Sequence, residues 1–486
     1  MKHRIVVLGA GYAGAFAAGN LARRLSPADT EITVVNAAPD FVERMRLHQL
    51  ASGQDLTTRP LAEVFAGTGV RLRVARVTGI DPERRTVTVT GEAGDRELTY
   101  DTLLYALGSS VAHHGVPGAA EYAYDVTGRA SALRLRERLT ELGAGDSVLV
   151  VGEGLTGIET ATELAESRPD LSVALAARGE LGAWLSPKAR RHLRRAFDRL
   201  GVTVHEHTAV AAVEPARAIA ADGTSLPADV TVWSAGFAVR PIAAAGGLRV
   251  AETGQIVVDR TMRSVSHPDV YAAGDSAYAI GENGRPLPMS CASAGYTNMQ
   301  ATAAIIARLT GREVPTVGLK YHGNHISLGR RDAIFQAVDG EVRSRSWYLG
   351  GRTTARLKAG VLKGAALGIA HPTFGMPKRR RRLATVPDRS GVWAAGTKAT
   401  GPKTADARTT DAKTTDAKTT SVKSAGAHSA GAQSAGAQSA GAQSAGAQSA
   451  GAQSAGAQSA GAQSAGAQSA GVKSAGVKSA GANVTA

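Results

Sequence analysis

Short apolar runs recur along the chain, each cut off by glycine before a stretch with helical spacing. Ile5-Val6-Val7-Leu8 leads into Gly9-Ala10-Gly11-Tyr12-Ala13-Gly14, after which Ala15, Phe16, Ala17, Ala18, Leu21 and Ala22 fall at helix-compatible positions. Val148-Leu149-Val150-Val151 leads likewise into Gly152-Glu153-Gly154-Leu155-Thr156-Gly157, followed by Ile158, Ala161, Leu164 and Ala165. Unbroken four-residue apolar runs fit strands buried on both faces, and their alternation with helices predicts parallel sheets. Ile32-Thr33-Val34-Val35, Val173-Ala174-Leu175-Ala176 and Ile256-Val257-Val258 read as further strands. Three more runs end in glycine, at Gly108, Gly236 and Gly274-Asp275. The predicted fold class is α/β.

The two glycine loops carry the candidate chemistry. In a Gly-x-Gly-x-x-Gly turn between strand and helix, the first glycine makes the bend and the second admits a pyrophosphate. The third lets helix pack on strand. The helix N-terminus then offers free N–H groups and roughly half a positive charge to phosphate. One loop is a weak signal, since a glycine turn without a ligand reads the same. Two in strand–turn–helix context predict two Rossmann-like dinucleotide-binding domains, and hence a flavin and a nicotinamide exchanging a hydride.

The order of elements divides the chain at residues 1–127, 128–248, 249–315, 316–375 and 376–486. Gly115-Val116-Pro117-Gly118 reads as the crossing into the second lobe, and residues 249–315 return to the first. Residues 316–375 form a small α+β piece, with a strand pair at 332–338 and 342–348. An amphipathic helix follows, apolar at Leu357, Val361, Leu362, Ala365, Leu367 and Ile369 and basic at Arg352, Arg356, Lys358 and Lys363. Lys378-Arg379-Arg380-Arg381-Arg382 comes next. Residues 404–483 run in sixteen five-residue units that settle into Ser-Ala-Gly-Ala-Gln. That period matches neither helix nor strand, and such small side chains cannot offset an ordering cost of about 1–2 kcal/mol per residue. A disordered repeat tail is expected.

Gly152-x-Gly-x-Thr156-Gly157-Ile158-Glu159-x-x-x-Glu163-Leu164 and Trp233-Ser234-Ala235-Gly236, together with the first loop, resemble the FAD-dependent pyridine nucleotide-disulfide oxidoreductase superfamily. Within it the chain is most similar to type II NADH dehydrogenase-like NAD(P)/FAD-dependent oxidoreductases, over residues 2–374. The resemblance implies an NAD(P)H domain inserted in an FAD domain. It implies FAD on Gly9, Gly11 and Gly14, with Asp275 after Gly274 hydrogen-bonding the ribityl–phosphate portion. Gly108 and Gly236 would lie where the chain crosses between domains, and NAD(P)H would sit on Gly152, Gly154 and Gly157. Glu159 would lie near both rings, orienting the carboxamide or relaying a proton; a first-turn carboxylate favoured by the helix dipole is the equal alternative.

Two strand ends depart from the usual pattern. Asn36 stands where an acidic residue normally grips the adenosine ribose of FAD, and it hydrogen-bonds a hydroxyl less strongly than a carboxylate does. Ala177-Arg178-Gly179 offers no acid for a 2′-hydroxyl but an arginine for a 2′-phosphate, which leans toward NADPH over NADH; a solvated surface arginine is the other reading. The basic segment Glu43-Arg44-Met45-Arg46-Leu47-His48-Gln49 reads either as lying near the flavin or as an exposed salt-bridged helix.

Composition narrows the chemistry further. The single cysteine among 486 residues, Cys291, excludes a thiol pair, so electrons leave the flavin directly for the acceptor; Cys291 itself reads as a small buried residue. No metal site is read from His322 and His325. The type II enzymes carry Ala-Gln-x-Ala-x-Gln after the Gly-Asp segment, whereas Pro288-Met289-Ser290-Cys291-Ala292-Ser293-Ala294-Gly295-Tyr296 lacks both glutamines. The expected acceptor is a quinone or similar small molecule. A ferredoxin- or rubredoxin-like protein is the alternative, as is a non-catalytic flavin redox sensor.

Of the formal +15 charge, +10 follows residue 375, where fourteen lysines and arginines face four acids. The body is near neutral. No run approaches the about 20 apolar residues that span a bilayer, and Lys2 and Arg4 precede a strand rather than a secretion signal. A cytoplasmic location is expected, with peripheral contact at the inner face of the membrane through the basic C-terminal region. A solvated helix and linker is the competing reading of that region.

Overall fold

Ile5, Val6, Val7 and Leu8 are all buried, and β1 (His3–Leu8) accordingly occupies the middle of a parallel sheet. The chain turns through the first glycine loop into α1 (Tyr12–Arg24), then forms β2 (Thr30–Asn36), the short α2 (Leu47–Ala51), β3 (Val70–Val74) and β4 (Thr102–Tyr105). β1 pairs with β2 on one side and β4 on the other, in register Ile5 with Ile32 and with Thr102. β3 extends the sheet beyond β2. A three-stranded meander over Arg76–Asp81, Thr86–Gly91 and Gly94–Thr99 separates β3 from β4. The structure, a computed structural model, describes residues 1–92, 94–315, 318–339, 341–373 and 380–384.

The second lobe repeats this plan. After β5 (Ser109–Val111), β6 (Ala123–Tyr124) and the helix α3 (Arg129–Thr140), β7 (Ser147–Val151) runs into the second glycine loop and α4 (Leu155–Ser167). β8 (Ser172–Ala176) and β9 (Thr203–His205) lie on one side of β7, and β10 (Val230–Trp233) lies on the other. A second meander, Val210–Glu214, Arg217–Ala220 and Ser225–Pro227, stands where the first lobe has its own. In each sheet the order reverses beside the central strand, and ligands of open α/β sheets bind at that switch point, beyond the strands' carboxyl ends.

The lobes are joined by two short strands that pair with each other. β5, directly after Gly108, runs antiparallel to β11 (Phe237–Val239), directly after Gly236, with Ser110 opposite Ala238. The Trp233 indole N–H donates to the Ala112 carbonyl at 2.8 Å and pins this crossing. β6 already pairs with β10, so Ala123 belongs to the second sheet ahead of the boundary at 128. Ala243 and Leu248 sit in the first lobe's core, so the return precedes residue 249. β12 (Val270–Ala272) then completes the first sheet beside β4, and α5 (Cys291–Leu309) packs on α1.

The C-terminal piece is a three-stranded antiparallel sheet, β13 (Gly323–Ser327), β14 (Ala333–Val338) and β15 (Ser344–Gly350), followed by α6 (Arg352–Ala370). Ile326, Leu328 and Ile334 join the second lobe's core, as do Leu47 and Leu50 of α2. The expected amphipathic helix forms. Leu357, Val361 and Leu367 are each 52 % exposed, whereas Thr354, Lys358, Ala366 and Ile369 are buried. The reason is its neighbour: α6 borders a cleft, and its inward stripe meets a carboxylate there.

Within the expected basic linker, Ser26 N–H donates to the Arg381 carbonyl and Arg382 pairs with Asp29, so this part is tied to the first lobe. Lys378, Arg379 and the repeat tail lie outside the described residues. No helix among the described residues is long and apolar enough to cross a membrane.

Candidate active site between the two glycine loops

The three glycines of each loop face different demands, and the geometry separates them. A Cβ on Gly9 would stand 2.4 Å from the Ala106 carbonyl oxygen, and one on Gly14 would stand 1.9 Å from that of Gly9. In the second loop, Cβ atoms on Gly152 and Gly157 would meet the carbonyl oxygens of Ser234 at 2.6 Å and Gly152 at 1.8 Å. Gly9 and Gly152 also have φ of +92° and +119°. These four are required by the protein's own backbone. Gly11 and Gly154 instead have ordinary negative φ and nothing within 4 Å of a Cβ. Their open side is the space before the first turns of α1 and α4, neither of which has a side-chain cap. Two uncapped helix N-termini behind vacated glycines are the arrangement that receives a pyrophosphate.

Both loops open into one cavity of about 1350 Å³. Its walls include Gly9, Gly11, Gly152 and Gly154, Asn36, Gly108, Gly236, Gly274 and Asp275 as well as Arg178, Glu159 and Lys358, whereas Gly14 and Gly157 lie behind that surface. Asn36 ends β2, where its Oδ1 accepts from Ala10 N–H at 2.9 Å and its Nδ2 donates to the Ala38 carbonyl at 2.8 Å. Its carboxamide thus shapes the first loop itself. Gly274 has φ +70° and donates its N–H to Thr297 Oγ1, which turns Asp275 toward the cavity. Asp275 Oδ2 accepts from Ser109 Oγ at 2.7 Å and faces the Arg44 guanidinium at 3.7 Å. Arg44 also donates to Ser109 Oγ and lies over the Phe237 ring, 5.6 Å from its centre. Arg44 and Met45 thus stand on the cavity wall, while Arg46 pairs with Glu43 within the same segment. Gly108 and Gly236, with φ of +67° and +138°, border Arg44 and His114 respectively.

At the second loop, Glu153 Oε2 accepts the Arg178 backbone N–H at 3.2 Å. The Arg178 guanidinium has no carboxylate partner among the described residues, and the residue is exposed at the cavity rim.

Between α4 of the second lobe and α6 of the C-terminal piece, Glu159 and Lys358 form an ion pair with side chains only 12 % and 10 % exposed. Glu159 Oε1 also accepts Ser327 N–H at 2.8 Å, and Lys358 Nζ also reaches the His325 carbonyl. Burial acts to raise the Glu159 carboxyl, but the Lys358 ammonium and the Ser327 N–H outweigh it and hold the group below the ordinary carboxylate range. Lys358 was legible only as one cation of an amphipathic helix. The available signal was its spacing with Thr354, Ala366 and Ile369, which places all four on one helix face.

Cys291, expected in the core, instead opens α5 on the cavity wall, in reach of the cavity interior. The residue is exposed to the cavity, and partial enclosure by its walls, with Asp275, raises the thiol above its ordinary value.

A family model described as pyridine nucleotide-disulphide oxidoreductase matches residues 3–301. An NADH dehydrogenase-like protein of Mycobacterium tuberculosis is 32 % identical over 359 residues, covering 68 % of this chain and 87 % of that protein. The demethylphylloquinone reductase of a Synechocystis species is 26 % identical over 359 residues, covering 69 % and 87 %. Among solved structures, NDH2 of Plasmodium falciparum in complex with NADH shares the fold, with a TM-score of 0.65 at 15 % identity over 78 % of this chain and 99 % of that one. With the cradles, the shared cleft and these matches together, the chain belongs to the pyridine nucleotide-disulphide oxidoreductase family and is an FAD-dependent NAD(P)H oxidoreductase.

Proposed function

We propose that the cleft passes electrons from NAD(P)H through FAD to a quinone or similar small acceptor, with no redox thiol pair. The single observation that carries this reading is that both uncapped helix N-termini open into one cavity. Gly9, Gly11, Gly14 and the Asn36-braced loop hold FAD, with Asp275, Ser109 and Arg44 beside its ribityl–phosphate portion. Gly152, Gly154 and Gly157 hold the nicotinamide dinucleotide, with Arg178 at its adenosine end. The flavin, when bound, supplies two-electron acceptance and release. The protein's part is to position the cofactors, exclude water and manage protons. The Lys358–Glu159 pair does the last of these: Glu159 stays ionised and orients the Lys358 ammonium, the acid available to an acceptor oxygen.

The acceptor assignment draws support from the quinone-type substrate named for the Synechocystis relative. A lipid-soluble acceptor also suits peripheral membrane contact at α6, where exposed Leu357, Val361 and Leu367 stand among Arg352, Arg356 and Lys363. Anaerobic titration of the holoprotein with NADH and then NADPH tests the reading. Flavin absorbance should bleach and return on adding menadione; persistent yellow with both donors contradicts it.

Arg178, without a carboxylate partner among the described residues, makes NADPH the better donor. Arg178→Ala should raise KM for NADPH about tenfold, equivalent to about 1.4 kcal/mol, while KM for NADH hardly moves. Equal changes for both donors in steady-state assays would show that Arg178 does not read the 2′-phosphate.

A further inference from the structure

Behind the Lys358–Glu159 pair the interior holds a second polar cluster that the chemistry above does not use. Glu163 lies one turn further along α4 and is wholly buried. Its Oε1 accepts from Gln54 Nε2 at 2.6 Å and from Arg330 Nε at 2.9 Å, while its Oε2 is buried without a partner. His48, on α2, packs against α4, is 4 % exposed, and has a buried Nε2 that is also unpartnered. Folded interiors normally satisfy such groups with ordered water.

The cluster has an outer end. Gln54 and Arg330 line a separate cavity of about 400 Å³ together with Ser52, Glu166 and Arg331. Arg330 N–H is in turn accepted by Glu166. The polar groups therefore lead from this outer cavity to Glu163, and from Glu163 and His48 to the floor of the main cleft. Residues 159 and 163, four apart, share one face of α4.

The acceptor chemistry gives such a route a use. Reducing a quinone-type acceptor to its dihydro form takes two electrons and two protons. The nicotinamide hydride brings both electrons and one proton, so the second proton must come from water. We propose that Glu163 and His48, bridged by water, conduct this proton from the outer cavity to the Lys358–Glu159 pair. The path rests on the quinone-type reading of the acceptor. Lys358 Nζ gives its proton to the acceptor oxygen, and His48 returns one that it has drawn through Glu163. Arg330 and Gln54 hold Glu163 in place and carry no proton themselves.

The charged groups facing His48 are Glu159 and Glu163 on α4, Lys358 on α6 and Arg46 just before α2. The facing helix α3 presents Leu135 and Leu139, and its Arg136 is tied to Asp55 near the surface. Burial lowers the basicity of His48 and keeps the ring neutral near pH 7, ready to accept a proton and pass it to a more basic amine.

The test uses the holoprotein with His48→Gln and, separately, Glu163→Gln, which keeps the shape of the Gln54 and Arg330 contacts. Anaerobic bleaching by NAD(P)H and turnover with ferricyanide, which takes electrons without protons, should match wild type. Menadione turnover should fall about tenfold or more, with little change in KM, a larger solvent deuterium isotope effect and an altered pH profile. Wild-type rates with menadione, or equal losses with ferricyanide and menadione, overturn the path. A wild-type protein that bleaches but never reduces menadione overturns the acceptor reading, and the path with it.

Discussion

A Gly11→Leu protein should fold normally and emerge without bound flavin. Gly11 has φ −74° and ψ −167°, a backbone geometry open to any residue, and a Cβ there meets nothing within 4 Å. The leucine therefore strains nothing in the protein. It occupies the space before the α1 N-terminus where the second glycine of such a loop admits phosphate. We expect flavin affinity to fall at least about a hundredfold, roughly 3 kcal/mol. Visible absorbance should vanish while far-ultraviolet dichroism is unchanged. Gly14→Ala should behave differently, because its Cβ would stand 1.9 Å from the Gly9 carbonyl oxygen and disrupt the turn itself. Gly154→Leu, the equivalent change in the second lobe, should stay yellow yet resist bleaching by either nicotinamide donor. A Gly11→Leu protein with stoichiometric flavin would remove FAD from the first cradle.

The second large effect is expected at Lys358. Lys358→Met leaves Glu159 buried without its cation, and breaking a buried pair from one side typically costs about 3–5 kcal/mol. The pH dependence gives the sign. In the native protein Glu159 is held below its unfolded value of about 4.3, so its contribution is present above that pH and is lost as pH falls through the lowered folded value. In Lys358→Met the dominant influence on Glu159 becomes burial, which raises its carboxyl. The penalty is then largest at neutral pH and shrinks in acid, so wild-type and variant melting temperatures should converge below about pH 4. Adding Glu159→Gln should recover most of the lost stability without restoring menadione turnover. If Lys358→Met melts with wild type at pH 7, the pair does not act as a buried ion pair.

The parts of the fold that were legible are those whose requirements are local. Ile5 to Leu8 and Val148 to Val151 are apolar because both faces of their strands are covered, and Gly9 and Gly152 make bends at positive φ that favour glycine. The strand pair near Asp339 was equally local, since its two runs adjoin in sequence. The lobe crossings were placed late because β6 is two residues long and carries no periodicity of its own. Which face of α6 turns inward was not legible, because an apolar stripe states only that some face is greasy. The inward stripe was the one through Lys358, drawn in by a carboxylate 199 positions away.

Local chemistry along the chain thus sufficed for two parallel sheets, two glycine loops and an FAD-dependent NAD(P)H oxidoreductase with a single cysteine. Folding alone decided that Asn36 braces its own loop, that Arg44 reaches Asp275, and that Lys358 meets Glu159 on the cleft wall with His48 behind them. Hydrophobic pattern and backbone sterics act between near neighbours and can be read in order. Charge pairing and desolvation depend on which distant groups come within a few ångströms, and only the assembled lobes set that.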